Sequence, residues 1–130
     1  MATRTILIVE DDPALQDNLH AYLTSQNFRV LQAGDVDTAL SIIKKDIPDA
    51  ILLDLLLPGK HGTVLLQTMQ QEGKRIPTIV ITNTDSAGRR EQCMQLGARD
   101  FIIKSNTSLQ EILRLILKYC ENKGEAKAEG

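Results

Sequence analysis

"TILIVEDDP", residues 5–13, decides the fold. The run Ile6 to Val9 is apolar without alternation, which suits a strand covered on both faces, as in a parallel sheet. Asp12 followed by Pro13 suits a helix N-cap with proline in the first helical position. A buried strand that turns directly into a helix is the opening unit of an alternating α/β chain. The join carries Glu10, Asp11 and Asp12. Carboxylates crowded together raise one another's pKa unless a cation or a hydrogen-bond donor compensates, so this cluster requires an explanation.

Outward from this stretch, short β-rich runs alternate with longer stretches of helical period. Strands are expected at "TILIV" (5–9), "FRVLQA" (28–33), "AILLDL" (50–55), "TIVIT" (78–82) and "DFIIK" (100–104), with helices between them and after the last. The pattern predicts a doubly wound, five-stranded parallel sheet with five helices. Strands 1, 3 and 4 are almost wholly Ile, Leu and Val and belong in the middle. Strand 2 contains Arg29 and Gln32, and strand 5 is flanked by charges, so both fit the edges. With right-handed crossovers the order is 2-1-3-4-5. Helix punctuation agrees: Ser108 and Glu111 have capping-box spacing, and Gly73 and Gly97 follow helical stretches where a left-handed residue closes the turn.

In such sheets the binding crevice lies beyond the carboxyl ends of the strands, where the winding reverses. Glu10, Asp11, Asp54, Thr82 and Lys104 all fall on that rim. An acid at the end of "AILLD" interrupts an otherwise apolar central strand, which singles out Asp54.

The bulk properties narrow the function. A chain of 130 residues fits one domain that needs no disulfide or structural metal. A net charge of -2, with its cations dispersed, gives no footprint for direct nucleic-acid binding. No apolar run approaches a membrane span and no signal peptide is legible, so a cytoplasmic location is expected. Cys93 and Cys120 lie outside any C-x-x-C pattern and read as free thiols. His20 and His61 lack a metal-ligand spacing and read as surface residues. "ENKGEAKAEG" after Cys120 lacks apolar period, so the folded domain is placed at 1–121 and a mobile tail at 122–130.

The stretches "LIVEDD" (7–12), "DLLLPGKHG" (54–62), "ITN" (81–83) and "GARDFIIKS" (97–105) together resemble the receiver domain of two-component response regulators, over roughly residues 4–121. Each is weak alone; in order, at the ends of the appropriate strands, they form a strong signal. The resemblance implies a flavodoxin-like, chemotaxis-regulator-like fold and a phosphoacceptor domain rather than a turnover enzyme. It implies Asp54 as the phosphorylated residue, and Mg²⁺ held by Asp11 and Asp54 directly, Glu10 through water and the backbone carbonyl of Leu56. Such an oxygen-rich pocket suits that ion. Thr82 and Lys104 would each hold a phosphoryl oxygen, and Phe101 would be the switch aromatic. Asp12 is left to cap the first helix.

By the same resemblance the phosphoryl donor is a sensor histidine kinase or a histidine phosphotransfer protein. The output is a downstream protein or a homodimer engaged through the face of helix 4, strand 5 and helix 5. Leu115 and Tyr119 either widen the core stripe of the last helix or join that face. Two departures from the family pattern stand out. Ser105 follows Lys104 where proline, through a cis peptide, is usual, and a non-proline cis bond costs about 3 kcal/mol. Asn83 stands where a smaller residue usually leaves room for the phosphoryl group. Leu56 and Thr84 flank the path of the hydrolytic water, and neither orients it, so slow to moderate self-hydrolysis is expected.

Three rival readings are weaker. A flavin-binding electron carrier of the same strand order would want a Ser/Thr/Gly-rich loop where "VEDDPA" stands. An aspartate-nucleophile phosphatase would want a second acid at Leu56. A receiver-like interaction module that is never phosphorylated would not need the acidic pocket, Thr82 and Lys104 together.

Overall fold

The computed structural model describes residues 3–83 and 87–129. Its elements follow the expected alternation: β1 (Thr5–Val9), α1 (Pro13–Ser25), β2 (Arg29–Ala33), α2 (Val36–Lys45), β3 (Ala50–Leu53), α3 (Gly62–Gln71), β4 (Thr78–Thr82), α4 (Ala87–Gln95), β5 (Asp100–Ile103) and α5 (Leu109–Glu129). The five strands form one parallel sheet in the order β2-β1-β3-β4-β5. The expected order and class are therefore the observed ones. β1, β3 and β4 are buried along their whole length, whereas β2 and β5 are partly exposed, as edge strands are.

Alternation along the strands distributes the core between two faces. Leu7 and Val9 point to one side, with Ile51, Leu53, Val80 and Phe101, and meet α2, α3 and α4 through Val36, Ile43, Leu65 and Cys93. Ile6 and Ile8 point to the other, with Leu52, Ile79 and Ile81, and meet α1 and α5 through Leu19, Leu23, Ile112 and Ile116. Leu115 is buried in this second layer and Tyr119 packs against it, so these two residues widen the core stripe of α5.

The helix ends use the chemistry written in the sequence. The Asp12 carboxylate accepts from the Ala14 amide at 3.0 Å, with Pro13 in the first position of α1. Ser108 Oγ accepts from the Glu111 amide at 3.1 Å. Gly73 and Gly97 have φ of 71° and 101°, in the left-handed region that closes α3 and α4.

α5 continues to Glu129, through the stretch for which the sequence suggested a tail. Residues 121–129 include Glu, Lys and Ala, and extending an existing helix through good helix formers is far easier than nucleating one. No helix among the described residues is long and apolar enough to cross a membrane.

Candidate phosphorylation site

Four strand ends deliver the site. β1 leads into Glu10, whose amide donates to the Ala33 carbonyl of β2 at 2.9 Å. β3 leads into Asp54, whose amide donates to the Val9 carbonyl at 2.9 Å. These bonds extend the sheet one residue beyond its strands, so both acids start from fixed backbone. Glu10 is 2% exposed and Asp54 4%. Carboxylate oxygens of Glu10, Asp11 and Asp54 lie within 4.8 Å of one another.

Lys104, directly after β5, compensates this charge. Its Nζ lies 2.6 Å from Glu10 Oε1 and 3.1 Å from Asp54 Oδ2. Burial alone would lower the lysine pKa, but hydrogen bonds to Glu10 and Asp54, with their charges, outweigh burial and hold it above 10.5. Burial pushes Glu10 above its ordinary value; the bonds from Lys104 and the Asp12 amide oppose this, and the Asp54 charge adds to it. The Asp12 amide donates to Glu10 Oε2 at 3.0 Å, and Gln16 Nε2 to the Glu10 carbonyl at 2.8 Å. Crowded carboxylates are thus tolerable here because a half-buried ammonium and a helix-start amide face them.

The loop after β3 folds back tightly on Asp54. The Gly62 amide donates to the Leu55 carbonyl at 2.8 Å. A Cβ at Gly62 would stand 2.5 Å from the Asp54 carbonyl oxygen and 2.8 Å from Leu55 Cα. Glycine is therefore required here by close backbone approach. His61 is half-buried, and its Nδ1 caps α3 by accepting from the Thr63 amide at 3.3 Å. Burial lowers its pKa, assisted by the nearby Arg89 charge and opposed by Asp54. The sequence reading treated His61 as an ordinary surface residue; no metal-ligand spacing marks a capping histidine.

Thr82, 1% exposed at the end of β4, lines a hollow of about 60 Å³ with Leu55, Leu56, His61 and Arg89. Leu56 is 60% exposed, and Asn83, the residue after Thr82, is exposed as well. Thr84 lies outside the described residues. Phe101 is 1% exposed and points into the core. Arg90 of α4 holds it there: Nη2 donates to the Phe101 carbonyl at 2.9 Å, and the guanidinium carbon sits 5.1 Å from the ring centroid. The segment Lys104–Asn106 forms a single 3-10 turn, and no peptide bond among the described residues is cis.

The family model described as "Response regulator receiver domain" matches residues 6–117. This chain belongs to that family. Response regulator PleD of Caulobacter vibrioides is 38% identical over 101 residues, covering 76% of this chain and 22% of that protein. Response regulator MprA of Mycolicibacterium vanbaalenii is 33% identical over 108 residues, covering 83% of this chain and 46% of that protein. The chain therefore spans less than half the length of these relatives. The CheY-like response regulator receiver domain protein from Methanospirillum hungatei JF-1 has the same fold, with a TM-score of 0.89 at 26% identity over 99% of this chain and 100% of that one. The receiver domain described here is thus a component of two-component signalling, in which response regulators interact with histidine kinases and downstream effectors.

Proposed function

We propose that this receiver domain is a phosphorylation-dependent switch in which Asp54 accepts a phosphoryl group from a sensor histidine kinase or a histidine phosphotransfer protein. The observation that carries the reading is Asp54 itself. It is buried at the end of a central strand, within reach of Glu10 and Asp11 and held by the Lys104 ammonium.

In the transfer, an Asp54 carboxylate oxygen attacks phosphorus. The P–N bond to the donor imidazole breaks, and the imidazole nitrogen keeps the electron pair and takes up a proton. Lys104 already contacts an Asp54 oxygen, and moving with the arriving charge lets Nζ hold a phosphoryl oxygen. Thr82 Oγ1, lining the hollow, donates to another. Glu10, Asp11, Asp54 and the Leu56 carbonyl would hold Mg²⁺, and the fit rests on the donor set: hard oxygens with a surplus of negative charge. The ion supplies charge neutralisation around the transferred group.

Readout then follows from two structural connections. Drawing Thr82 towards the phosphoryl group vacates space beside β5, and Phe101, now clasped by Arg90, is the side chain able to turn into it. Arg90 lies on α4, so the turn disturbs the face made by α4, β5 and α5. α4 and α5 carry exposed large apolar side chains, Met94 and Leu117, for a downstream protein or a second copy to cover. The domain acts within the aqueous cytoplasm without contacting nucleic acid itself and promotes its own phosphorylation and dephosphorylation.

The deciding experiment is intact-mass analysis after treatment with acetyl phosphate and Mg²⁺. Wild type should gain one phosphoryl group and Asp54→Asn none. Stoichiometric modification of the Asn variant would remove Asp54 from its role.

A further inference from the structure

A second cleft lies away from Asp54, at the opposite end of β4 from Thr82. It measures about 390 Å³ and opens between the C-terminal ends of α3 and α4, at the start of β4. Thr78 lies in its wall and Thr82 is four residues along the same strand, so the two sites stand roughly 13 Å apart at ordinary strand rise. The volume is within the roughly 300–1,000 Å³ typical of small-molecule sites.

Its lining has two chemically distinct parts. The inner wall is apolar: Leu66, Met69, Ile76 and Leu96. The outer wall is basic: Lys74, Arg75 and Arg99. Lys74 Nζ is 3.2 Å from a Glu72 carboxylate oxygen, whereas neither Arg75 nor Arg99 enters an ion pair among the described residues. Thr78 Oγ1 is already committed, donating to the Ile76 carbonyl at 3.0 Å. Gln70 Nε2 donates to the Gln95 carbonyl at 3.3 Å, and the charged groups that the lining leaves open are cationic.

Basic residues are favoured near helix C-termini by the helix dipole, which accounts for a cation after each helix. It does not account for the apolar hollow that those cations border. The chain as a whole is acidic, with a net charge of -2, so three cations around one hollow run against its average.

We propose that this cleft binds a small amphipathic acid, a molecule whose apolar body fills the space over Met69 and Ile76 while its carboxylate, sulfonate or phosphate group meets Arg75 and Arg99. Charge complementarity selects the anion, and the concave apolar wall selects its body over that of a fully hydrated ion. The site is separate from phosphoryl transfer and does not depend on it.

The test uses a matched pair of probes on the whole chain: 1-anilinonaphthalene-8-sulfonate, which carries an aromatic body and one anionic group, and N-phenyl-1-naphthylamine, the same body without the charge. In ¹⁵N-resolved NMR titrations the sulfonate should bind saturably at one site. Its shift changes should centre on the amides of Met69, Gly73, Ile76 and Gly97, with affinity at least tenfold above that of the neutral probe. The Arg75→Glu/Arg99→Glu double variant alters two exposed side chains and should keep a dispersed spectrum while losing that tenfold preference. Equal affinity for the two probes in wild type, shift changes centred elsewhere, or an undiminished preference in the double variant would overturn the proposal.

Discussion

Replacing Lys104 by methionine removes the ammonium while retaining most of the side-chain volume. In wild type this cation stands 2.6 Å from Glu10 Oε1 and 3.1 Å from Asp54 Oδ2, and both acids are buried. Breaking a buried pair by removing one partner costs about 3–5 kcal/mol, because a charge is left buried without its counterion. Glu10 has an escape, since it can bind a proton, and the variant no longer has to desolvate an ammonium. The expected loss at pH 7 in metal-free buffer is therefore near the lower end, about 3 kcal/mol.

The pH dependence provides the sharper test. Glu10 already lies above its ordinary value of 4.5 through burial, with Lys104 opposing the shift, so the variant should raise it further. An acid with a raised pKa in the folded state binds its proton more tightly than the unfolded chain does. Stability from that proton is fully present below the ordinary glutamate value and is lost as pH rises through the folded one. The difference between variant and wild type should thus be small near pH 4.5 and should widen towards pH 7. Mg²⁺ at tenfold its dissociation constant should return about 1.4 kcal/mol. The chain has no tryptophan, so urea unfolding should be followed by far-ultraviolet circular dichroism. A deficit of equal size at pH 4.5 and pH 7, or none at either, would refute the assignment of Lys104 as counterion to the acidic cluster.

Gly62→Ala forces a Cβ to within 2.5 Å of the Asp54 carbonyl oxygen; it should cost about 1–3 kcal/mol in urea unfolding and slow phosphorylation by displacing Asp54. Arg90→Ala removes the clasp on Phe101. It should cost about 1 kcal/mol and let the ring leave the core more readily, seen as increased line broadening of Phe101 in unphosphorylated protein. Leu56→Asn replaces an exposed apolar side chain that lines the hollow with an amide that can orient water. It should shorten the aspartyl-phosphate lifetime several-fold in a decay assay, and an unchanged lifetime would place control of water elsewhere.

The sheet was legible because its signals are local. β1 and β4 match their expected bounds, and the remaining strands differ from theirs by one or two residues at an end. Burial on both faces excludes charged residues from β1, β3 and β4, so the acids that follow β1 and β3 stand out. The pairing partners within the site were less legible. Lys104 and Asp54 are 50 residues apart, and nothing periodic marks a lysine that also meets Glu10. Arg90 reads as one of several charges on a polar helix, and only the fold brings it over Phe101. The histidine cap of α3 and the basic rim of the distal cleft share this property, since each depends on where neighbouring elements end rather than on a pattern within one of them. The extension of α5 escaped notice for a different reason: a sequence without an apolar face can still continue a helix already held by its preceding turns.

The position of Lys104 after the last strand has a consequence for the chain during its synthesis. Glu10, Asp11 and Asp54 leave the ribosome well before Lys104 does, and until β5 docks beside β4 the cluster lacks the ammonium that pairs with Glu10 and Asp54 in the folded domain. A nascent chain lacking that strand would present a repelling trio of acids on an unfinished sheet, exposed at the β4 edge. On the proposed phosphoacceptor reading, phosphate is accepted only once β5 has docked, so the lysine that completes the site also marks the sheet as assembled.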